Sequence, residues 1–357
     1  MRSEGEHLPE LDGLRGLAAM IVIVSHFSIV TNVFGGLLGF GAGQLGVMLF
    51  FVLSGFLMGR LYLTTKPTAR SVAVFYRRRV ARVVPLYLLV VLASVIASET
   101  FGPGKFLYGI GVDALATHLV FWRGDFVLWT IPVEMQFYAI FPVLWFIFAW
   151  TGNRLSIWLC LALVVIPLIG YPAKPALFPH AGFFALGLAI SFIGGQWKLD
   201  GAFVASLALV ILLFPRIAAS LPFGGVELTD MWHNPAYLVA VGALLFSALH
   251  SRVASRMLGS RPFRYLGTVS YSIYLLHLPI LWGLNHFDLF ARNPALFFPV
   301  FVAATLLAAS LSYALIEAPS RRAINHFEGW RPRQGSPHAA SSGQSVMPHL
   351  VQPAAHE

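Results

Sequence analysis

Charge is what this sequence has least of. Lys, Arg, Asp and Glu make up 11% of its 357 residues, against roughly 25% in an ordinary soluble domain. The acids are the scarcer kind, 15 against 24 bases. A water-facing shell around one soluble core is therefore excluded. With 57% hydrophobic residues and a mean hydropathy of +0.74, the surroundings that suit this composition are a lipid bilayer. Cysteine is almost as scarce: Cys160 stands alone in an apolar run, so a disulfide framework and a thiolate metal site are both excluded. The 12 histidines show no convincing ligand spacing, and no metal is expected. The net charge of +9 does not point to nucleic acid, because the bases lie between apolar runs and not along a stripe that tracks phosphates.

What is abundant is apolar sequence in lengths near that of a bilayer core, about 30 Å. Runs at 14–31, 43–62, 80–98, 130–150, 155–170, 181–195, 201–215, 236–250, 265–285 and 297–316 predict an all-α, polytopic integral membrane helix bundle of about ten transmembrane helices. Residues 99–129, with Glu99, Lys105, Asp113, Arg123 and Asp125, read as an interfacial helix with loops. If the spans alternate from an inner N-terminus, only Lys105, Arg123, Lys174, Arg216 and Arg292 of the 24 bases fall outside. The positive-inside rule then predicts that both termini are cytoplasmic. Gly-rich sequence follows the first run where a small-x-small cleavage site would stand, so that run is expected to stay as an anchor. Residues 1–327 are expected to form one membrane domain, and 328–357, polar and rich in Ser, Pro, His and Gly, a disordered cytoplasmic tail.

Within the first run Arg15 and His26 stand eleven residues apart. At about 100° per residue that is about three turns, so both side chains leave the helix on one face, with Cα atoms about 16 Å apart along the axis. Ionisable groups at membrane depth usually face a bundle interior or a water-filled cavity, which makes this pair the starting point for function. Arg79 and Arg82 are neighbours on one helix face. They read either as a positive-inside anchor at the start of the third span or as a phosphate site to which a helix N-terminus adds its positive end. Ser54-Gly55 reads as a close-packing pair with the hydroxyl bonded back to its helix, or as pocket lining. Glu134 follows Pro132 in the opening turns of the fourth span, either as an interfacial carboxylate favoured by the helix start or as part of a polar pocket shared with His26. His277, inside the ninth run, is either a helix-packing hydrogen-bond group or part of the cavity. The Gly-rich run Phe34–Gly43 has no Lys-Ser/Thr pair after it and reads as a flexible turn, not a phosphate cradle.

Taken in order, five motifs resemble the acyltransferase-3 family of bacterial integral-membrane O-acyltransferases. They are Arg15-x10-His26, Phe51-x-x-Ser54-Gly-Phe56, Phe75-x3-Arg79-x2-Arg82-x2-Pro85-x-Tyr87, Trp129-x4-Glu134-x-Gln136-Phe-Tyr138 and Leu266-Gly-x2-Ser270-Tyr-Ser-x-Tyr274-Leu-x-His277. One departure is visible: the family commonly has two consecutive glutamates where this chain has Glu134 followed by Met135. The extracellular hydrolase-like domain that some members carry after the membrane part is not expected here.

The resemblance implies a multi-pass protein of the bacterial plasma (inner) membrane. It implies transfer of an acyl group, commonly acetyl, from cytosolic acyl-CoA to a hydroxyl of a cell-surface glycan or lipid-linked sugar. A sugar hydroxyl needs a base to attack a thioester, and imidazole titrates in the right range, so His26 is the candidate general base. Glu134 is expected to orient its ring as a carboxylate does in a triad. Arg79 and Arg82 are expected to bind the phosphates of coenzyme A, with Arg15 holding phosphate or pantetheine. Ser54, Trp129, Gln136, Tyr138 and His277 are expected to line the substrate pocket. The rival reading is a multi-span transporter or flippase for a surface polysaccharide precursor. It is equally compatible with ten spans and buried polar residues, but no internal repeat favours it and the cytoplasmic arginines favour the enzyme.

Overall fold

The structure is a computed structural model and describes residues 8–104, 107–169, 176–195, 197–221, 231–286 and 293–326. The tail expected from residue 328 lies outside the described residues, as do Lys105, Lys174 and Arg292. Among the described residues all regular structure is helical. The first half contains α1 (Pro9–Thr31), α2 (Ala42–Tyr62), α3 (Ala69–Phe101), α4 (Val112–Leu119), a 3-10 turn Phe126–Trp129, α5 (Thr130–Ile169) and α6 (Ala181–Ser191). The second half contains α7 (Asp200–Leu212), α8 (Pro215–Ala219), α9 (Pro235–Leu249), α10 (Arg252–Leu258), α11 (Arg261–Thr268), α12 (Ser270–His286) and α13 (Pro294–Ser312). A π-helical turn Tyr313–Glu317 then leads into α14 (Ala318–His326).

Among the described residues five helical stretches are long and apolar enough to cross a membrane: Pro9–Thr31, Ala42–Tyr62, Ala69–Phe101, Phe126–Thr151 and Pro294–Asn325. A sixth results if α9 is counted together with α10, which turns from it by 91°. The remaining expected runs fall on shorter apolar helices, Ser156–Val165, Phe178–Ser191 and Asp200–Leu212, and on the 17-residue α12. Length alone does not make these four full spans, since each covers about 25 Å or less at about 1.5 Å per residue.

Two helices differ from their expected bounds for identifiable reasons. The arginine-rich segment before the third apolar run is already helical, because Thr68 and Ser71 form a reciprocal capping box at its start and no breaker intervenes before residue 80. Arg79 thus sits ten residues inside α3, about 15 Å from its N-terminus, so the expected help from that positive end is absent. The two expected spans at 130–150 and 155–170 are joined in α5. Yet Phe137 stacks on Phe184 at 4.2 Å while Gly182, two residues away, approaches the backbone of Val164. In a straight helix residues 137 and 164 would be about 40 Å apart, so α5 folds back on itself and α6 lies against both arms.

The scaffold around the site is held by close backbone contact and by hydroxyl ties. Where α2 crosses α6, a Cβ on Gly55 would lie 2.0 Å from the Phe184 carbonyl oxygen and a Cβ on Gly187 2.0 Å from that of Val52. Only glycine at both positions allows the two helices to come this close. In α12, Pro279 has no N–H to offer Leu275. The hydroxyl of Tyr108 donates to that carbonyl instead, at 2.9 Å.

Candidate active site

A cavity of about 60 Å³ lies between α1, α2, α3, the start of α5 and α12. Five expected functional residues line it: Arg15 from α1, Ser54 from α2, Arg79 and Arg82 from α3, and Glu134 from α5. Segments far apart in sequence therefore converge on one internal volume. Around them stand Phe50, Leu53 and Leu57 of α2, so the charged groups work against apolar walls.

The charges in this cavity are unbalanced. Among the described residues none of Arg15, Arg79 and Arg82 has a carboxylate within ion-pair distance. Arg79 is only 8% exposed, and its Nε has no hydrogen-bond partner. Its guanidinium lies over the rings of Tyr138 at 5.5 Å and Phe75 at 5.8 Å. Such cation–π contact contributes about 2 kcal/mol when desolvated, whereas the effective penalty for a buried ion is several kcal/mol. The shortfall is what an anionic ligand would supply.

Glu134 is engaged on the cavity wall. Its Oε1 accepts from the hydroxyl of Ser54 at 3.1 Å and from that of Tyr138. The Ser54 hydroxyl thus reaches across to α5 and does not bond back to its own helix, whereas Gly55 serves the close packing. Tyr138 is buried and acts through Glu134, not as cavity lining.

His26 is placed differently from expectation in one respect. Its ring partner is His277, with His277 Nε2 3.2 Å from His26 Nδ1, and not Glu134. His26 Nδ1 also lies 3.0 Å from the Val22 carbonyl oxygen, one turn back in α1. His277 is fully buried, and its Nδ1 faces the carbonyl oxygens of Tyr274 at 2.8 Å and Ile273 at 3.1 Å. One turn below His277 on α12, Tyr274 lines the cavity and donates to the Val127 carbonyl at 2.9 Å. The histidine pair therefore sits about one helical turn beyond the cationic cavity.

The remaining expected pocket residues hold the scaffold. Gln136 donates from Nε2 to the Phe121 carbonyl at 3.2 Å and accepts at Oε1 from the Leu177 N–H at 3.0 Å, which clasps two loops. It faces away from the cavity because it lies two residues, about 200°, around α5 from Glu134. Trp129 packs into an aromatic cluster with His180 at 4.9 Å and Trp232 at 5.6 Å.

Sequence reasoning missed Tyr271 and Thr130, which line the cavity, and Glu317, which lies in the field of the cavity residue Arg82. Tyr271 donates to the Val83 carbonyl at 2.6 Å, tying α12 to α3. Ser270, Tyr271, Tyr274 and His277 fall at one-face helical spacing, a signal that was available in the motif. Glu317, 3% exposed, accepts from Ser272 in the π-helical turn and lies in the field of Arg82 and Arg321. It stands one residue past the expected end of the last apolar run, and only the turn carries it inward. Among the described residues no group of three or more His, Cys, Asp or Glu side chains converges as a metal site would require.

The family described as "Acyltransferase domain" matches residues 8–316. A peptidoglycan O-acetyltransferase of Listeria monocytogenes is 28% identical over 93% of this chain and 59% of its own length. An O-acetyltransferase of Staphylococcus aureus is 26% identical over 88% of this chain and 57% of its own. A putative peptidoglycan O-acetyltransferase of Bacillus subtilis is 26% identical over 88% and 55%. This chain thus spans less than three fifths of the length of these curated relatives. No solved structure matches.

Proposed function

The chain belongs to the acyltransferase-3 family, and from that premise we propose that it is a membrane O-acyltransferase. It moves an acetyl group from cytosolic acyl-CoA to a hydroxyl of a cell-surface polysaccharide or lipid-linked sugar. The relatives' names make a peptidoglycan-type glycan the first acceptor to test. The setting is the bacterial inner membrane, with about ten spans counting the shorter helices and with both termini cytoplasmic. The 19 of 24 bases that alternate to the N-terminal side support this orientation.

One observation carries the reading: three guanidinium groups without carboxylate partners among the described residues line a small cavity one helical turn from the pairing of half-buried His26 with buried His277. Arg15, Arg79 and Arg82 hold the phosphate oxygens of the donor by charge-assisted bonds. His26 Nε2 takes the acceptor's hydroxyl proton, and the oxygen attacks the thioester carbonyl carbon. The C–S bond then breaks, and the coenzyme A thiolate takes up the proton from the imidazolium. Glu134, held by Ser54 and Tyr138, offsets part of the charge of the cationic wall.

The test is transfer of labelled acetyl from acetyl-CoA to glycan acceptor by the purified full chain, wild type beside His26→Ala. The expected loss is about 10²- to 10⁴-fold in turnover, the contribution of a positioned base, with acetyl-CoA binding unchanged. Equal transfer by the two proteins would remove His26 as base. Export of a precursor without any acetyl transfer by wild type would replace the enzyme with a transporter.

A further inference from the structure

We infer that His277 is a positioning residue that holds His26 in the tautomer with a bare Nε2; this rests on the reading of His26 as base. Which ring nitrogen carries a proton follows from what each nitrogen faces. His277 Nδ1 faces two backbone carbonyl oxygens, at 2.8 and 3.1 Å, and nothing that donates. It therefore carries a proton. The neutral ring then has its lone pair on Nε2, and that atom lies 3.2 Å from His26 Nδ1. His26 Nδ1 thus meets two acceptors, His277 Nε2 and the Val22 carbonyl oxygen at 3.0 Å. It carries the proton that the two acceptors share, which leaves His26 Nε2 as the nitrogen able to take a proton from a substrate.

The second acceptor has a purpose that the first cannot serve alone. A single carbonyl one turn back along α1 favours the tautomer but leaves the ring one tether, from which it can turn away. His277 adds a tether from another helix, with ring centroids 5.0 Å apart and the planes inclined by 42°. When Nε2 takes the hydroxyl proton, the Nδ1–H bond becomes charge-assisted and strengthens against the His277 lone pair. A second proton on His277 would instead aim one donor at another. His277 is fully buried, so it does not meet the acceptor substrate itself. Its own place is set by the Tyr108 tie to Leu275, two residues earlier in α12.

Two variants of the full chain separate this role from mere packing. His277→Gln keeps an acceptor within reach of His26 Nδ1, and His277→Phe keeps the volume without one. Phe is expected to lower kcat about ten- to a hundredfold with KM for acetyl-CoA within about twofold, and Gln to stay within about fivefold of wild type. The second readout is ¹⁵N NMR of histidine-labelled protein in detergent. The His26 Nε2 resonance should be that of an unprotonated nitrogen in wild type and His277→Gln, and should report mixed tautomers in His277→Phe. A protonated His26 Nε2 in wild type overturns the inference, as does equal turnover of the Phe variant and wild type, or equal loss in Phe and Gln. If His26→Ala retains transfer, the reading of His26 as base falls, while the NMR comparison still decides whether His277 sets its tautomer. Should His277→Phe not fold, His277→Leu, which likewise offers no acceptor, takes its place in both readouts.

Discussion

Glu134 and Gln136 stand two residues apart in one motif, both half-buried, and serve different regions. On the Gln136 side every strong hydrogen-bonding end of the amide is matched by backbone, and two loops are drawn together. On the Glu134 side the carboxylate has two hydroxyl donors, but the guanidinium groups facing the same cavity have no ion-pair partner among the described residues. Polar groups that complete one another hold a fold; polar groups left incomplete at an internal space await something from outside. Sequence position and residue type do not separate the two cases, and hydrogen-bond accounting does.

Four measurements test whether the Glu134 and Gln136 sides differ in this way. Replacing Arg79 and Arg82 together by Ala should weaken acetyl-CoA binding about 10²- to 10⁴-fold, two charge-assisted bonds of about 1.5–3 kcal/mol each, while the unfolding temperature in detergent stays near that of wild type. If calorimetry finds the same loss for a Gln136 variant, the distinction between the two sides is void. Gly55→Val should lower stability by about 1–3 kcal/mol, because its side chain would enter the 2.0 Å gap to the Phe184 oxygen. Binding should fall with it, since Ser54 moves along; a thermal unfolding series with and without acetyl-CoA reads both. Gln136→Leu strands the Phe121 carbonyl and the Leu177 N–H and should also lower stability, at the lower end of about 1–3 kcal/mol, with donor affinity intact. Ser54→Ala removes one of two donors to Glu134 and should be the mildest, about 1 kcal/mol, with transfer kept within about tenfold.

The parts of this picture that were legible in sequence share one property: they depend on what a single helix face carries. The eleven-residue spacing of Arg15 and His26 aligns them on one face and the three-residue spacing of Arg79 and Arg82 makes them neighbours; Arg15, Arg79 and Arg82 line the cavity, while His26 stands beside His277. What was not legible depends on contacts between helices. His277 meets His26 across 251 positions, and nothing in either segment states which side chain the other will find. Glu134 was expected there because carboxylates commonly orient imidazoles, and Ser54 and Tyr138 engage it instead. Gln136 and Trp129 were placed in the pocket because they share a motif with Glu134. A helix sends residues two apart to different sides, so membership of a motif is weaker evidence than phase around the axis. The early start of α3 was hidden for another reason. Its first turns are polar, and a search for apolar runs begins only where lipid does.

The reciprocal glycines at the α2–α6 crossing bear on movement. Because each missing Cβ is replaced by a carbonyl of the other helix, neither helix can slide by a residue or turn about its axis without driving a side chain into backbone. A shear of one helix past the other, common in proteins that open and close around ligands, is barred at this crossing. The pair is a stator. α3 and α12, by contrast, are tied among the described residues by the Tyr271 hydroxyl bond to Val83, which can break and re-form without repacking a helix, so movement at the cavity is expected there and not at the glycine crossing.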